Sequence, residues 1–536
     1  MFAATKTNKD EYRLSYSMSP SKTLPDGIVV LDFGSQYCHL IARRVREMNI
    51  YSEILPSDAS VEEVKTLSST MRIKGVILSG SPASVNMENA LALDEGILDL
   101  GVPVLGLCYG HQLIAKKFGG EVKKGEIREY GLRTVTVEKP EDLLEGTDHE
   151  ERVWMSHGDT VFSLPSCFQV LAYTESSPIA AYSYPEKQLY GLQWHPEVVH
   201  TIHGDLMLRN FILKICKAKQ NWKPVDRVEE AIKQIQNQIK EGKAVIALSG
   251  GVDSSVAGAL AGKALGDRIM AVHVDHGLMR LNESAEVKKA FERIGVKIKV
   301  VDAKDRFLRR LNGVTDPEKK RKIIGEEFIR VFEEEARRFN AEYLIQGTIY
   351  PDRIESGITR HADTIKTHHN VGGLPLKMEF KGIIEPLKDL YKDEVRALGK
   401  KLGLPKELVQ RQPFPGPGLA VRIVGEITEE KLYFLQKADA IVTEEVEKSE
   451  IAENQWQYFA VLTDTKSTGV KGDERAYGYT VAVRMMESVD AMTANFTKAP
   501  WELLERISIR ITNGIPSVTR VVYDITNKPP ATIEWE

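Results

Sequence analysis

A chain of 536 residues exceeds what one ordinary hydrophobic core supports, and a prior of roughly 100 to 200 residues per domain suggests three or so domains. Its 42% hydrophobic and 28% charged residues are those of a water-soluble globular protein, and a net charge of −4 leaves no electrostatic footprint for nucleic acid or an anionic membrane. No run of about 18 apolar residues offers a membrane span, and the four cysteines, Cys38, Cys108, Cys167 and Cys216, show no CxxC pairing, so a reducing, cytoplasmic setting is expected.

Residues 1–26 are rich in Thr, Lys and Ser, contain Asp10 and Glu11, and lack a continuous apolar core, so they read as a disordered tail with neither secretory signal nor transit peptide. From residue 27 short apolar runs alternate with helical periodicity. GIVVLDFG (27–34) leads into QYCHLIARRVREM (36–48), while KGVILSG (74–80) and VPVLGLCYG (102–110) each end in glycine. That is the grammar of an α/β layer with buried parallel strands. The domain extends over 27–218, and KICKAKQNWK (214–223), followed by Pro224, reads as a basic and polar linker.

Gly106 and Gly110 flank Cys108 between a strand and a helix. Such a turn pushes the middle side chain outward and sets a sulfur at a helix N-terminus, where the macrodipole favours thiolate. A cysteine in apolar surroundings is otherwise a small buried hydrophobe. A thiolate nucleophile needs a base and a group to orient that base. GLQWHPE (191–197) places His195 and Glu197 two apart around rigid Pro196, so that in an extended segment both project to one side. The chain order Cys108, His195, Glu197 assigns nucleophile, base and orienting carboxylate. GLCYGHQ and GLQWHPE resemble the class I glutamine amidotransferases. The resemblance implies attack on the glutamine carboxamide, release of ammonia, and a thioester left for water. It also implies an oxyanion hole made by the backbone N–H groups of Gly80 and Tyr109, with Ser81 standing where that family usually has a second glycine.

A second α/β domain spans 224–412. The apolar run 244–248 is followed by SGGVDSS, that is Ser249, Gly250, Gly251, Val252, Asp253, Ser254 and Ser255, and then by a small-residue stretch at 256–265. Strand, glycine turn and helix N-terminus converge on a spot where an anion can sit, although two glycines and three serines also suit a plain capped turn. The lysine of GxxxxGK[ST] is absent and Asp253 lies inside the turn, which suits a divalent cation bridging carboxylate and phosphate. The expectation is ATP split between its α and β phosphates, with Mg²⁺ contacted by Asp253. The full pattern resembles the ATP pyrophosphatase (PP-loop) family, whose members adenylate a carbonyl oxygen before a nitrogen or sulfur nucleophile displaces AMP. Strand-like runs at 269–277, 296–303 and 341–348 continue the parallel pattern.

QPFPGPGL (412–419) is too rich in proline and glycine for helix or interior strand, and it opens a small α+β domain over 413–536 with strands at 457–464, 479–486 and 517–525. The segments KPPATIEWE (528–536), RQPFPGPGLAVR (411–422), IKTHHNVGGLP (365–375) and KRKIIG (320–325) resemble the glutamine-hydrolysing GMP synthetase family, and the likeness runs from residue 27 onward. The resemblance implies XMP, ATP and glutamine as substrates and a homodimer formed through the C-terminal domain. It puts Arg321, Gln457, Asp473, Lys528 and Glu534 at XMP-contacting positions, and Lys366, His368, His369 and Asn370 in a mobile lid over the ATP site. Asp275 falls near ATP. Lys528, followed by Pro529 and Pro530, is a cation on a stiffened segment suited to a phosphate, and Glu534 is an acceptor for sugar or base; a surface lysine and a solvated acid look the same by themselves. His368 and His369 diverge and have no third ligand in register, so they are not read as a metal site.

The expected fold is α/β: two parallel-sheet α/β domains, a class I glutaminase and a PP-loop ATP pyrophosphatase, followed by a small α+β dimerisation domain. Another PP-loop glutamine-dependent amide or amidine ligase is the alternative enzyme. A catalytically inactive nucleotide-binding regulator is the alternative outside enzymes.

Overall fold

The computed structural model describes residues 24–357, 380–409, 411–488 and 494–536. The chain divides into two compact units at Lys223 and Pro224. In the first, β1 (Asp26–Asp32) and β4 (Val104–Leu107) are apolar without alternation and buried on both faces, as central strands of a parallel sheet must be. β1 pairs in parallel with β2 (Tyr51–Pro56) and β3 (Arg72–Leu78), β3 with β4, and β4 with β9 (Leu189–Leu192).

Beyond β9 the sheet continues antiparallel through β8 (Ala181–Tyr184), β7 (Gln169–Tyr173), β5 (Glu121–Val137) and β6 (Glu150–Ser163). The result is nine strands in the order β2-β1-β3-β4-β9-β8-β7-β5-β6. This mixed sheet extends the parallel one expected. Much of β6 alternates exposed and buried residues, the pattern of an antiparallel strand with one solvated face, and no glycine step leads from it into a helix.

In the second unit β10 (Ala244–Ala247) is the middle of a five-stranded, wholly parallel sheet. Its neighbours are β11 (Ile269–Asp275), β12 (Ile298–Asp302), β13 (Tyr343–Ile345) and β14 (Gly382–Ile384), in the order β12-β11-β10-β13-β14. A four-stranded mixed sheet belongs to the same unit. It is built on the antiparallel pair β15 (Gln457–Lys471) and β16 (Glu474–Glu487), with β17 (Asn495–Phe496) antiparallel and β18 (Val518–Tyr523) parallel to β16. Val245, Val272 and Phe307 from the first of these sheets and its helices join Leu435, Val483 and Ile507 from the second in one hydrophobic cluster. The two sheets therefore share a core.

The lid residues Lys366, His368, His369 and Asn370 lie outside the described residues, as do residues 1–23 of the expected tail. No helix among the described residues is long and apolar enough to cross a membrane.

Candidate active sites

β4 carries the chain to Cys108 at the carboxyl edge of the first sheet, and the helix Tyr109–Lys117 begins on the next residue. Cys108 adopts φ 51° and ψ −99°, a backbone conformation that L-residues rarely take and that a sharp strand-to-helix elbow demands. The two flanking glycines permit it by close approach. A methyl on Gly106 would run into the carbonyl of Gly110, and one on Gly110 would lie 2.7 Å from Leu78 Cβ. The buried thiol faces the Ser156 carbonyl at 3.6 Å.

His195 Nδ1 donates to Glu197 Oε1 at 2.7 Å, so the spacing of two does bring the pair together. The backbone around them is tied down: Thr201 Oγ1 donates to His195 O at 2.6 Å, and Arg44 Nε donates to Glu197 O at 3.1 Å. Glu197 is fully buried, and its Oε2 has no hydrogen-bond partner among the described residues, so its charge is directed at the imidazole. Burial opposes a charge on His195. The Glu197 carboxylate and contacts with Cys108 outweigh it and hold the ring's pKa well above the ordinary imidazole value.

Gly80 completes this cluster: a methyl there would stand 3.1 Å from His195 Cε1 and 3.5 Å from Cys108 Cβ. Ser81 keeps its hydroxyl within the turn, where Oγ accepts from Ala83 N at 3.1 Å. Cys108, Tyr109, His195, Glu197 and Gly80 thus meet at one place. Sequence reasoning missed Tyr37, whose ring stands edge-on to His195 with centroids 5.0 Å apart, and no spacing signal pointed to it.

In the second unit Gly250 takes φ +78°, and Gly251 caps the helix Val252–Leu265 from an extended conformation. Hydroxyls brace the loop: Ser255 Oγ and Ser254 Oγ donate to Gly251 O at 2.8 and 3.2 Å, and Ser249 and Ser254 share a hydrogen bond of 3.2 Å. Asp253 Oδ2 accepts from Lys392 Nζ at 2.7 Å. Its Oδ1 is buried and has no hydrogen-bond partner among the described residues. A hard carboxylate oxygen left over at a helix N-terminus fits magnesium as a ligand. Asp275 accepts from Gly277 N at 3.0 Å and faces Lys304 at 3.5 Å. No motif announced Lys392; Arg411, the first residue of the segment 411–422, donates to Gly250 O at 3.3 Å and pairs with buried Glu283 at 2.7 Å.

Glu534 accepts two hydrogen bonds of 2.9 Å from Arg422 and one of 3.0 Å from Gln457 Nε2. Arg422 is fully buried and stacks 4.0 Å from the Phe459 ring centroid. Burial works against its charge, but the carboxylates of Glu534 and Asp439 raise its pKa above the ordinary guanidinium value. Arg321 donates to the main-chain oxygen of Glu536, and neighbouring Lys320 pairs with the Glu536 carboxylate. Arg321, Gln457 and Glu534 therefore gather around the segment 533–536. The Lys528 backbone exchanges hydrogen bonds with Ala494 at 2.8 and 3.0 Å. Asp473, at φ 64°, lies in the turn joining β15 to β16, whereas Gln457 pairs with Met486 at the other end of that hairpin. Within this chain Asp473 does not come to Gln457 and Glu534.

Elbow cysteine, buried His–Glu pair and lysine-free phosphate loop define a class of protein: a class I glutamine amidotransferase joined to an ATP-using PP-loop domain. Family models agree, with Glutamine amidotransferase class-I matching residues 29–215, PP-loop domain 224–405 and GMP synthase C terminal domain 444–535. The GMP synthase (glutamine-hydrolyzing) of Geobacillus kaustophilus is 52% identical over 511 residues, which is 95% of this chain and 99% of that protein. That of Caldicellulosiruptor saccharolyticus is 53% identical with the same coverage. Among solved structures, a glutamine amidotransferase from Thermotoga maritima is 22% identical and covers 37% of this chain and 88% of its own, with a TM-score of 0.28. The chain belongs to the glutamine-hydrolysing GMP synthase family.

Proposed function

We infer that this enzyme aminates xanthosine 5′-monophosphate to GMP, cleaving ATP to AMP and pyrophosphate and drawing ammonia from glutamine. It is a carbon–nitrogen ligase of guanine nucleotide biosynthesis with glutamine as amido donor. The observation that carries the reading is the Cys108 elbow with its His195–Glu197 pair, in one chain with the SGGVDSS loop.

Cys108, as thiolate, attacks the glutamine carboxamide carbon. His195 takes the thiol proton and returns it to the departing nitrogen, which leaves as ammonia, while Glu197 fixes the ring's tautomer and orientation. The N–H groups of Gly80 and Tyr109 receive the oxyanion, a device worth ~3 to 4 kcal/mol per donor in acyl transfer. Water then converts the thioester to glutamate, with His195 as base.

At the second site the purine C2 oxygen attacks the α phosphorus of ATP, and pyrophosphate leaves into the loop of Ser249, Gly250, Gly251, Val252, Asp253, Ser254 and Ser255. Ammonia adds at C2 and AMP departs. Lys392 stands where it can meet the phosphates once its pairing with Asp253 is exchanged. Asp253 would hold a magnesium ion, which supplies neutralising charge to phosphate oxygens when bound. Arg321, Gln457, Lys528 and Glu534 are assigned to XMP and Asp473 with them by family likeness, and Lys366, His368, His369 and Asn370 to a lid over ATP. Apolar side chains exposed on the C-terminal helix and strand region, among them Trp501, Val522 and Ile525, support a homodimer. Free thiols at all four cysteines support a cytoplasmic location.

Incubation with XMP, ATP, Mg²⁺ and glutamine is expected to yield GMP and AMP; ADP and phosphate as products would overturn the reading. Cys108→Ala is expected to abolish glutamine use and retain activity with ammonium salts.

A further inference from the structure

A buried lysine stands beside the Arg422–Glu534 fork and has no part in the reaction above. Lys320 lies in the first turn of the helix Pro317–Phe339 and is fully enclosed, a burial that lysine almost never reaches without a partner. Its Nζ donates to Ile423 O at 2.7 Å and to Ala420 O at 3.5 Å, and it pairs with the Glu536 carboxylate. Three N–H groups thus meet three oxygens. Burial works against the charge of Lys320 and lowers its pKa, while the Glu536 carboxylate opposes that shift. The lysine depends on Glu536.

Where those three oxygens sit in the chain matters more than their number. Ala420 and Ile423 flank Arg422 at the end of the single helical turn Gly418–Arg422, and Glu536 lies two residues beyond Glu534. Arg422 and Glu534 are the two halves of the fork, joined by hydrogen bonds of 2.9 Å. Lys320 thus grips the backbone that carries one half and the segment that carries the other. Two more bonds tie the same pieces together: Glu536 Oε1 accepts from Gly425 N at 3.2 Å, and Glu536 N donates to Val421 O at 3.3 Å. On the other side of Glu534, fully buried Arg484 donates to Ile533 O at 2.9 Å and to Thr532 O at 2.8 Å. Arg484 fixes residues 532 and 533, Lys320 fixes 536, and Glu534 stands between the two anchors. A carboxylate held on both sides has little freedom left to lose when a ligand meets it.

We propose that Lys320 is a positioning residue for the nucleotide acceptor: by tying Glu536 to the backbone of residues 420–423 it holds Glu534, with Arg422 and Gln457, in the arrangement that receives the purine ring. The inference rests on the reading above that Glu534 and Gln457 contact XMP. The full-length chain is assayed with ammonium salts, so that the first unit plays no part, and XMP and ATP are varied separately. Lys320→Met is expected to raise the KM for XMP by about tenfold or more, the scale of one lost charge-assisted hydrogen bond, and to leave the KM for ATP within about twofold of the parent. Glu536→Gln is expected to show the same split. The double variant is expected to be no worse than Lys320→Met, since both changes break one pair. A merely structural lysine would move both KM values together. An unchanged KM for XMP overturns the proposal, as does an equal rise in both KM values or a double variant whose losses multiply. Should Lys320→Met fail to fold, Glu536→Gln decides by the same split. A parent enzyme that forms no GMP from XMP overturns the reading of the reaction itself, whereas a parent that does so beside variants with parental KM values overturns this inference alone.

Discussion

The His195–Glu197 pair is the residue-scale device with the sharpest pH signature. Because the folded-state pKa of His195 is raised, the stability it contributes is fully present below the unfolded imidazole value and is lost as pH rises through the folded one. Glu197→Gln is therefore expected to cost the first unit stability that is largest below the ordinary imidazole pKa and shrinks as pH rises above it, read by thermal denaturation across pH. Its glutamine-dependent kcat is expected to drop by roughly 10³ to 10⁴, as when the orienting carboxylate of a comparable triad is neutralised. At the other site, Lys392 is the cation that pairs with Asp253 among the described residues. Lys392→Met is expected to raise the KM for ATP by about tenfold to a hundredfold in ammonium-driven assays, the range for losing one charge-assisted hydrogen bond. An unchanged KM would exclude Lys392 from the phosphate site.

At the scale of the element, the elbow between β4 and the helix Tyr109–Lys117 shows how backbone crowding makes a sharp strand-to-helix turn. Cys108 can hold its unfavourable φ only because Gly106 and Gly110 let the helix start press against the strand ends. Gly106→Ala forces that contact apart and is expected to cost ~1 to 3 kcal/mol, the usual range for overpacking, together with glutamine use. Denaturant titration and ammonium-driven turnover separate the two effects, since the second site is built on other strands. The phosphate loop is organised differently. Its turn depends on the positive φ of Gly250 and on serine hydroxyls folded back onto Gly251 O.

For the molecule as a whole, the shared cluster of the second unit matters most. Residues from the parallel sheet and from the C-terminal sheet bury one another's apolar faces. A fragment covering 224–412 alone would expose that surface and is expected to aggregate or remain unfolded, which circular dichroism and light scattering would show. Calorimetry of the full chain is expected to show at most two cooperative transitions, one per unit, instead of three. The exposed apolar side chains Trp501 and Val522 belong to this scale as well. The double change Trp501→Glu, Val522→Glu is expected to convert a dimer to monomer in sedimentation experiments; an unaltered dimer would place the interface elsewhere.

Local signals were enough for much of this. Glycine at both sides of Cys108, the HPE triplet and the SGGVDSS run specify turns whose geometry is set within a few residues, so the cysteine elbow, the His195–Glu197 pair and the glycine-serine loop could be read directly from the sequence. Continuous apolar strands likewise announced the parallel sheets, since burial on both faces leaves no alternation. Tertiary structure alone decided the partners that approach from far along the chain. Lys392 reaches Asp253 across 139 residues, and Arg422 reaches Glu534 across 112, because neighbouring strands and helices of a packed core converge without any spacing rule in sequence. The antiparallel half of the first sheet, the separation of Asp473 from Gln457, and the meeting of Glu129 with His157 across the β5–β6 hairpin belong to the same category: each depends on strand register, which side-chain packing sets only when the whole sheet has formed.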